Sequence, residues 1–286
     1  MSRTGSVLVA LACSVALACG MACGQLSEAR AQSPTLTVSD RDTKKTYSQQ
    51  DLLTHRALRD VTVADPVYGR SMTYRAIPIA DLLKDVKIGA DDYVQARATD
   101  NFSIGIPGRL LEPANAAHVE AFLAVEDPAA PWPALAKSHE KLSAGPFYLV
   151  WRLGPGAHVS REYWAYQLAA FAVTDSPLKR WPGLAVGADV AAADPIRVGL
   201  DRYVELCISC HRFNGDGEGE QGPDLGRPMN PVEYFQIPAL KKLIRNPSSV
   251  RKWPEQKMPR FDESALSDSD LDAMIAWLAY KAQQRR

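Results

Sequence analysis

Cys207-Ile208-Ser209-Cys210-His211 is the stretch on which the reading of this chain turns. Two thiols three positions apart project to the same side of a helical turn. There they can add to the two vinyl groups of a haem, and the adjacent histidine then lies under the iron as proximal ligand. C-x-x-C-H is the signature of covalent haem attachment. A zinc half-site would need a second ligand pair, but the other cysteines, Cys13, Cys19 and Cys23, all stand near the start of the chain. A redox dithiol belongs beside a βαβ pattern, and none precedes this motif.

The sixth iron ligand must come from downstream, where Met229, Met258 and Met274 are the methionine candidates. Met274 falls in the apolar pattern Leu271, Met274, Leu278 of the last helix, where methionine is usually core packing. Met229 stands close behind His211 in a Pro-rich loop. Met258 precedes Pro259 in Gln256-Lys257-Met258-Pro259-Arg260-Phe261, a segment with no helical pattern. Such a loop can carry a thioether across the haem face, so Met258 is the expected ligand. Met229, or an open or otherwise ligated site, is the alternative. His/Met ligation raises the haem potential and saturates the iron, which suits electron transfer rather than oxygen chemistry.

From about Gly199 to Lys281 the chain resembles the class I cytochrome c family. Gly199 and Tyr203 stand before the C-x-x-C-H as that family's N-terminal helix does, Gly222-Pro223-Asp224-Leu225 is similar to its G-P-x-L loop, and Met258-Pro259 to its distal methionine segment. The resemblance implies that the Pro223 carbonyl accepts the His211 N–H and fixes the ring. Leu266-Ser267-Asp268-Ser269-Asp270-Leu271 opens a helix with Ser267 as N-cap and Leu266/Leu271 as a hydrophobic staple. The resemblance further implies that Trp277 or Tyr280 packs on the Gly199 helix. One haem c is expected, bound through Cys207 and Cys210, with His211 and Met258 as its metal ligands.

Upstream the texture changes to short apolar runs between turn signals. Val61-Thr62-Val63, Met72-Thr73-Tyr74, Tyr93-Val94-Gln95-Ala96 and Phe147-Tyr148-Leu149-Val150-Trp151 read as strands. Asp65-Pro66-Val67-Tyr68-Gly69 and Asp100-Asn101 read as turns. Ser48-Gln49-Gln50-Asp51 can cap a brief helix through Leu53, and Ile79-Ala80-Asp81-Leu82-Leu83 follows Pro78 as another. The expected fold class is two-domain: an N-terminal α+β domain with substantial β-sheet and a C-terminal all-α domain. The N-terminal part resembles the molybdopterin-binding domain of the sulfite oxidase family. The residues concerned are Tyr74 to Leu83, Ala98 to Phe102 with Ile104 to Pro107, Gly145 to Val150, and Tyr163-Trp164. In that family a cysteine thiolate binds molybdenum. Residues 32–174 contain no cysteine, so molybdopterin is not expected and no catalytic residue is carried over.

His55, His118, His139 and His158 are scattered without metal-ligand spacing and read as surface or hydrogen-bonded residues. His158 and Arg161 could line a loop pocket. Trp132, Trp151 and Trp164 read as core aromatics. Between the domains, residues 175–196 carry Pro/Gly punctuation and an Ala-rich stretch and suit a linker. Trp181, Leu184 and Val186 could dock it on either neighbour.

At the start, Arg3 precedes the apolar runs Val7-Leu8-Val9-Ala10-Leu11-Ala12 and Val15-Ala16-Leu17-Ala18, and Ala29-Arg30-Ala31 follows. Basic start, apolar core and A-x-A site are the parts of a secretory signal peptide. The run falls short of the ~20 apolar residues of a membrane span. Cleavage after Ala31 and a periplasmic location are expected. Membrane association is expected only if Cys19 or Cys23 is lipidated. The segments are then 1–31 signal, 32–174 α+β domain, 175–196 linker and 197–286 haem domain.

The 286 residues carry 33 Lys+Arg against 33 Asp+Glu, so neither a nucleic-acid binder nor a general membrane-surface binder is indicated. Charge is locally uneven. Lys241, Lys242, Arg245, Arg251, Lys252, Lys257 and Arg260 put seven positive charges between residues 241 and 260, against the single acid Glu255. The plain reading is a solvated face. Because the run leads into the Met258 loop, an acidic redox partner docking near Lys252 and Lys257 is expected. The favoured function is a periplasmic electron carrier whose N-terminal domain binds or docks, and the chain is an oxidoreductase only if that domain binds molybdopterin. The alternatives are a sulfite-oxidase-like oxidoreductase that feeds its own fused haem, and a haem sensor switching at Met258.

Overall fold

In the computed structural model, residues 33–113, 118–136, 141–254 and 256–284 are described. The expected signal segment with Cys13, Cys19 and Cys23, and also His139 and Glu255, lie outside the described residues. Alternation builds the hairpin that starts at Arg59: in β3 (Arg59–Asp65) Val61, Val63 and Asp65 point inward while Thr62 faces out. Thr62 pairs with Thr73 of β4 (Arg70–Pro78), and their hydroxyls hydrogen-bond at 2.8 Å. The turn between the strands is the expected one. Asp65, 2% exposed, accepts from the N–H groups of Val67 and Tyr68 at 2.7 and 2.9 Å. It also accepts from the Tyr74 and Tyr148 hydroxyls at 2.7 and 3.2 Å, so the turn is tied to the core.

The remaining strands complete two sheets. β1 (Thr35–Ser39), β2 (Lys44–Ser48), β5 (Tyr93–Ala98), β6 (Ser103–Pro107) and β9 (Leu168–Thr174) form the order β2-β1-β9-β5-β6. Only the β1–β9 pairing there is parallel. The second sheet runs β3-β4-β7-β8, with β7 (Val119–Val125) and β8 (Phe147–Leu153). Both sheets contribute to one apolar core. α1 (Gln49–Leu53) is capped as expected, Ser48 and Asp51 exchanging a capping box, and α2 (Ile79–Leu82) follows Pro78. Trp151 and Trp164 are buried, and Trp132 packs edge-on against Tyr74 with ring centres 4.8 Å apart.

From residue 195 the chain is helical: α4 (Pro195–Leu206), α5 (Pro231–Tyr234), α6 (Ile237–Arg245), α7 (Pro247–Val250) and α8 (Asp268–Gln283), after a short α3 (Pro177–Arg180). Ser267 caps α8 by accepting from the Asp270 N–H at 3.1 Å, and Leu266 and Leu271 are buried in one cluster. α4 crosses α8 closely because Gly199 has no side chain: a Cβ there would stand 2.0 Å from the Ala273 carbonyl oxygen. Trp277, fully buried, stacks on Tyr203 at 4.5 Å, whereas the Tyr280 hydroxyl accepts from the Gly187 N–H at 2.9 Å. Trp277 is thus the aromatic on the Gly199 helix.

The segment after β9 packs on the helical side. Leu184 is fully buried in a cluster with Leu200, Tyr203 and Trp277, and Trp181 and Val186 pack against it. The Lys281 amine, 8% exposed, donates to the Gly183 and Ala185 carbonyls at 2.7 and 3.3 Å. The β-rich part also touches the helical part directly. The Gln95 amide on β5 donates to Glu218 at 2.6 Å, and Arg180 forms an ion pair with the same carboxylate. Among the described residues, no helix is long and apolar enough to cross a membrane.

Candidate haem-binding site

α4 ends on the motif. Cys207 is its C-cap, and the Cys210 and His211 N–H groups return to the Cys207 carbonyl at 3.1 and 2.8 Å. That turn brings both thiols and the imidazole to one side. The Tyr203 hydroxyl, one turn earlier, donates to the His211 carbonyl at 3.0 Å. Nδ1–H of His211 donates to the Pro223 carbonyl at 2.7 Å, which leaves Nε2 with its lone pair for a metal. Burial pushes the His211 pKa down, partly offset by that hydrogen bond, and so favours the neutral, ligating form. Gly222 makes room for the ring: a Cβ there would lie 2.3 Å from His211 Cε1.

These groups open onto a cavity of about 470 Å³ lined by Cys207, Cys210, His211, Pro223 and Met258. The volume lies within the range usual for cofactor sites. Its remaining wall is mainly apolar, including Leu206, Phe235, Leu240, Ile244, Phe261 and Leu266. Met258, partly buried, packs beside the cluster of Leu240 and Phe261. Met229 is 47% exposed and is not among the lining residues, whereas Met274 lines the cavity from α8 with its sulfur 3.6 Å from Cys207 Sγ. Both cysteines are free thiols. Burial, aided by the charge of Glu162, pushes the Cys207 thiol up to about 12 and raises Cys210 as well. Two free thiols at the edge of an apolar cavity, a cradled neutral imidazole and a thioether lining the same space fit a covalently bound haem.

The sequence reading did not include one lining residue, Glu162, which lies in a 3-10 turn (Arg161–Tyr163) of the N-terminal domain. No local pattern marks it, because its role depends on how that turn meets the helices. The described histidines upstream of residue 174 stay apart. His55 accepts from the Ala57 N–H at 3.2 Å, His158 is exposed, and His118 lines an open groove with Arg59, Glu120 and Arg152. Arg161 reaches Asp262 at 3.8 Å. Among the described residues, no cluster of three or more His, Cys, Asp or Glu could hold a metal ion.

Comparison with curated proteins finds no match to the chain. The family model for Cytochrome c matches residues 199–281, the span that contains the thiols, His211, Pro223 and Met258. The C-terminal region is therefore a cytochrome c domain, with covalent haem c as its cofactor and haem-based electron transfer as its role.

Proposed function

We propose that the chain is a periplasmic single-electron carrier with one haem c, ligated by His211 and Met258, and that its N-terminal domain is a binding or docking module. The observation that carries this reading is the convergence of Cys207, Cys210, His211 and Met258 on one apolar cavity. Haem bound there supplies a one-electron iron couple. The chain's own residues do the rest: the thiols anchor, Pro223 orients the imidazole, and Leu240, Ile244 and Phe261 exclude water. With the His211 imidazole and the Met258 thioether as its ligands, a haem held here would suit electron transfer rather than oxygen chemistry.

Docking of an acidic redox partner near Lys252 and Lys257 belongs to the same proposal. It is supported by Lys257 and the 43%-exposed Trp253, which both line the cavity while reaching solvent. The N-terminal domain is proposed to act without molybdopterin, since residues 32–174 hold no cysteine.

Purified holoprotein should contain one iron and no molybdenum per chain, with haem that stays on the denatured polypeptide. Stoichiometric molybdenum would instead establish the sulfite-oxidase-like alternative. Met258→Ala should abolish the weak near-infrared sulfur-to-iron band of the oxidised protein and lower the reduction potential. Loss of that band in Met229→Ala, with retention in Met258→Ala, would move the ligand to Met229.

A further inference from the structure

One wall of the haem cavity is supplied from outside the cytochrome domain. Glu162 lines the same space as Cys207, Cys210 and Met258, and it is the one acid among the described lining residues. Its turn is clamped from both sides. On the N-terminal side the Trp151 indole N–H donates to the Tyr163 carbonyl at 2.9 Å, and the Ser160 hydroxyl accepts from the Glu162 N–H at 3.3 Å. On the cytochrome side Arg161 pairs with Asp262, next to the lining residue Phe261 and on the same loop as Met258.

The carboxylate held there has no hydrogen-bond or ion-pair partner among the described residues, and burial alone pushes its pKa up to about 7. Its charge reaches both attachment thiols, whose pKa values it raises. An unpaired negative charge in a weakly screened site interacts strongly with a charge that changes nearby. Ferric haem carries one more positive charge than ferrous haem, so a carboxylate at this place stabilises the oxidised form.

We infer that Glu162 is a potential-setting residue: a carboxylate that the N-terminal domain lends to the haem crevice, holding the reduction potential below the value the cytochrome domain would have without it. The inference rests on haem occupying this cavity. It gives the N-terminal domain a part in electron transfer that needs no cofactor of its own, because the domain acts through the charge it places.

The test is the midpoint potential of the holoprotein, followed in the visible haem bands during a mediated redox titration at pH 8.5, where the carboxylate is ionised. E162Q keeps the shape and removes the charge, and its midpoint should rise. E162D keeps the charge and should stay near wild type. E162S, neutral and smaller, should rise with E162Q and replaces it if the Gln variant does not accumulate. Unchanged midpoints in the neutral variants would overturn the inference, as would a rise in E162D equal to theirs. A wild-type chain without covalent haem would instead bring down the haem reading, so the two failures are distinguishable.

Discussion

Four backbone N–H groups converge on Asp224: those of Asn214 and Gly215 at 2.8 and 2.7 Å, and those of Gly226 and Arg227 at 2.7 and 3.1 Å. One carboxylate thus ties the loop after His211 to the loop that carries Pro223. Burial by itself raises its pKa, but the four N–H groups together outweigh this and hold the carboxyl below the usual carboxylate range. A folded-state pKa below the unfolded one means that the stabilisation is complete above about pH 4. It is lost as pH falls through the unfolded value toward the folded one. Asp224→Ala should cost about 1–3 kcal/mol, since several donors lose their acceptor. Guanidinium unfolding of the holoprotein at pH 7 and at pH 3 measures it: the deficit should be large at the first pH and smaller at the second. A deficit independent of pH would mean that the charge of Asp224 plays no part. In the sequence Asp224 is only the x of G-P-x-L; its four donors come from residues whose loops meet only after folding.

At the scale of elements, the α4–α8 crossing decides whether the cytochrome domain holds together. Alanine in place of glycine inside a helix ordinarily gains about 1 kcal/mol. At Gly199 the added methyl would stand 2.0 Å from the Ala273 carbonyl oxygen and 2.9 Å from the Met274 Cα, backbone atoms that no rotamer change can move. Overpacking of this kind costs about 1–3 kcal/mol, so the clash should win. Gly199→Ala is expected to lower the denaturation midpoint of the holoprotein, while Asp201→Ala, on the exposed side of α4, should leave it nearly unchanged. A stabilised Gly199→Ala would show that the helices can separate at no cost. The ends of α1 and α8 were legible because caps are local: Ser48 with Asp51, and Ser267 with the Leu266/Leu271 staple, lie within one turn of each other. β7 carries no such local signal. Val119-Glu120-Ala121-Phe122-Leu123-Ala124-Val125 is buried at nearly every position between β4 and β8, so it lacks the alternation that identifies a half-exposed strand.

Across the whole molecule, the basic run divides into two groups. Lys241 pairs with Asp272, and Arg245 with Asp268 while also donating to the Phe261 and Leu266 carbonyls, so these two hold α6 to the α8 entry. Lys242, Arg251, Lys252, Lys257 and Arg260 make no ion pair among the described residues, although Arg251 lies over the Trp253 ring at 5.8 Å. Charge of this kind speeds encounter more than it strengthens a complex, and salt screens it. Reversing Lys252 and Lys257 to Glu should slow stopped-flow reduction by an anionic one-electron donor about tenfold at low ionic strength. Reduction by a neutral donor should change only as far as the midpoint potential does, since Lys257 also lines the haem cavity. The difference should fade as the Debye length shrinks to about 3 Å at 1 M salt. A rate indifferent to both mutation and salt would return the segment to ordinary solvated surface.

By itself the sequence determined that a haem-attachment turn exists and where it lies, because thioether chemistry requires Cys207, Cys210 and His211 to be near neighbours in the chain. It determined the caps of α1 and α8 and the Asp65-to-Gly69 turn for the same reason: their hydrogen bonds close over a few residues. Tertiary structure alone decided that β1 pairs in parallel with β9, Val38 opposite Phe171, and that the linker buries Leu184 against the helices. It also decided that Met229 stays at the surface and that Glu162 enters the cavity. Each of these joins segments distant in the chain, and their pairing is settled by which apolar surfaces can be buried together once the whole chain competes for the same core.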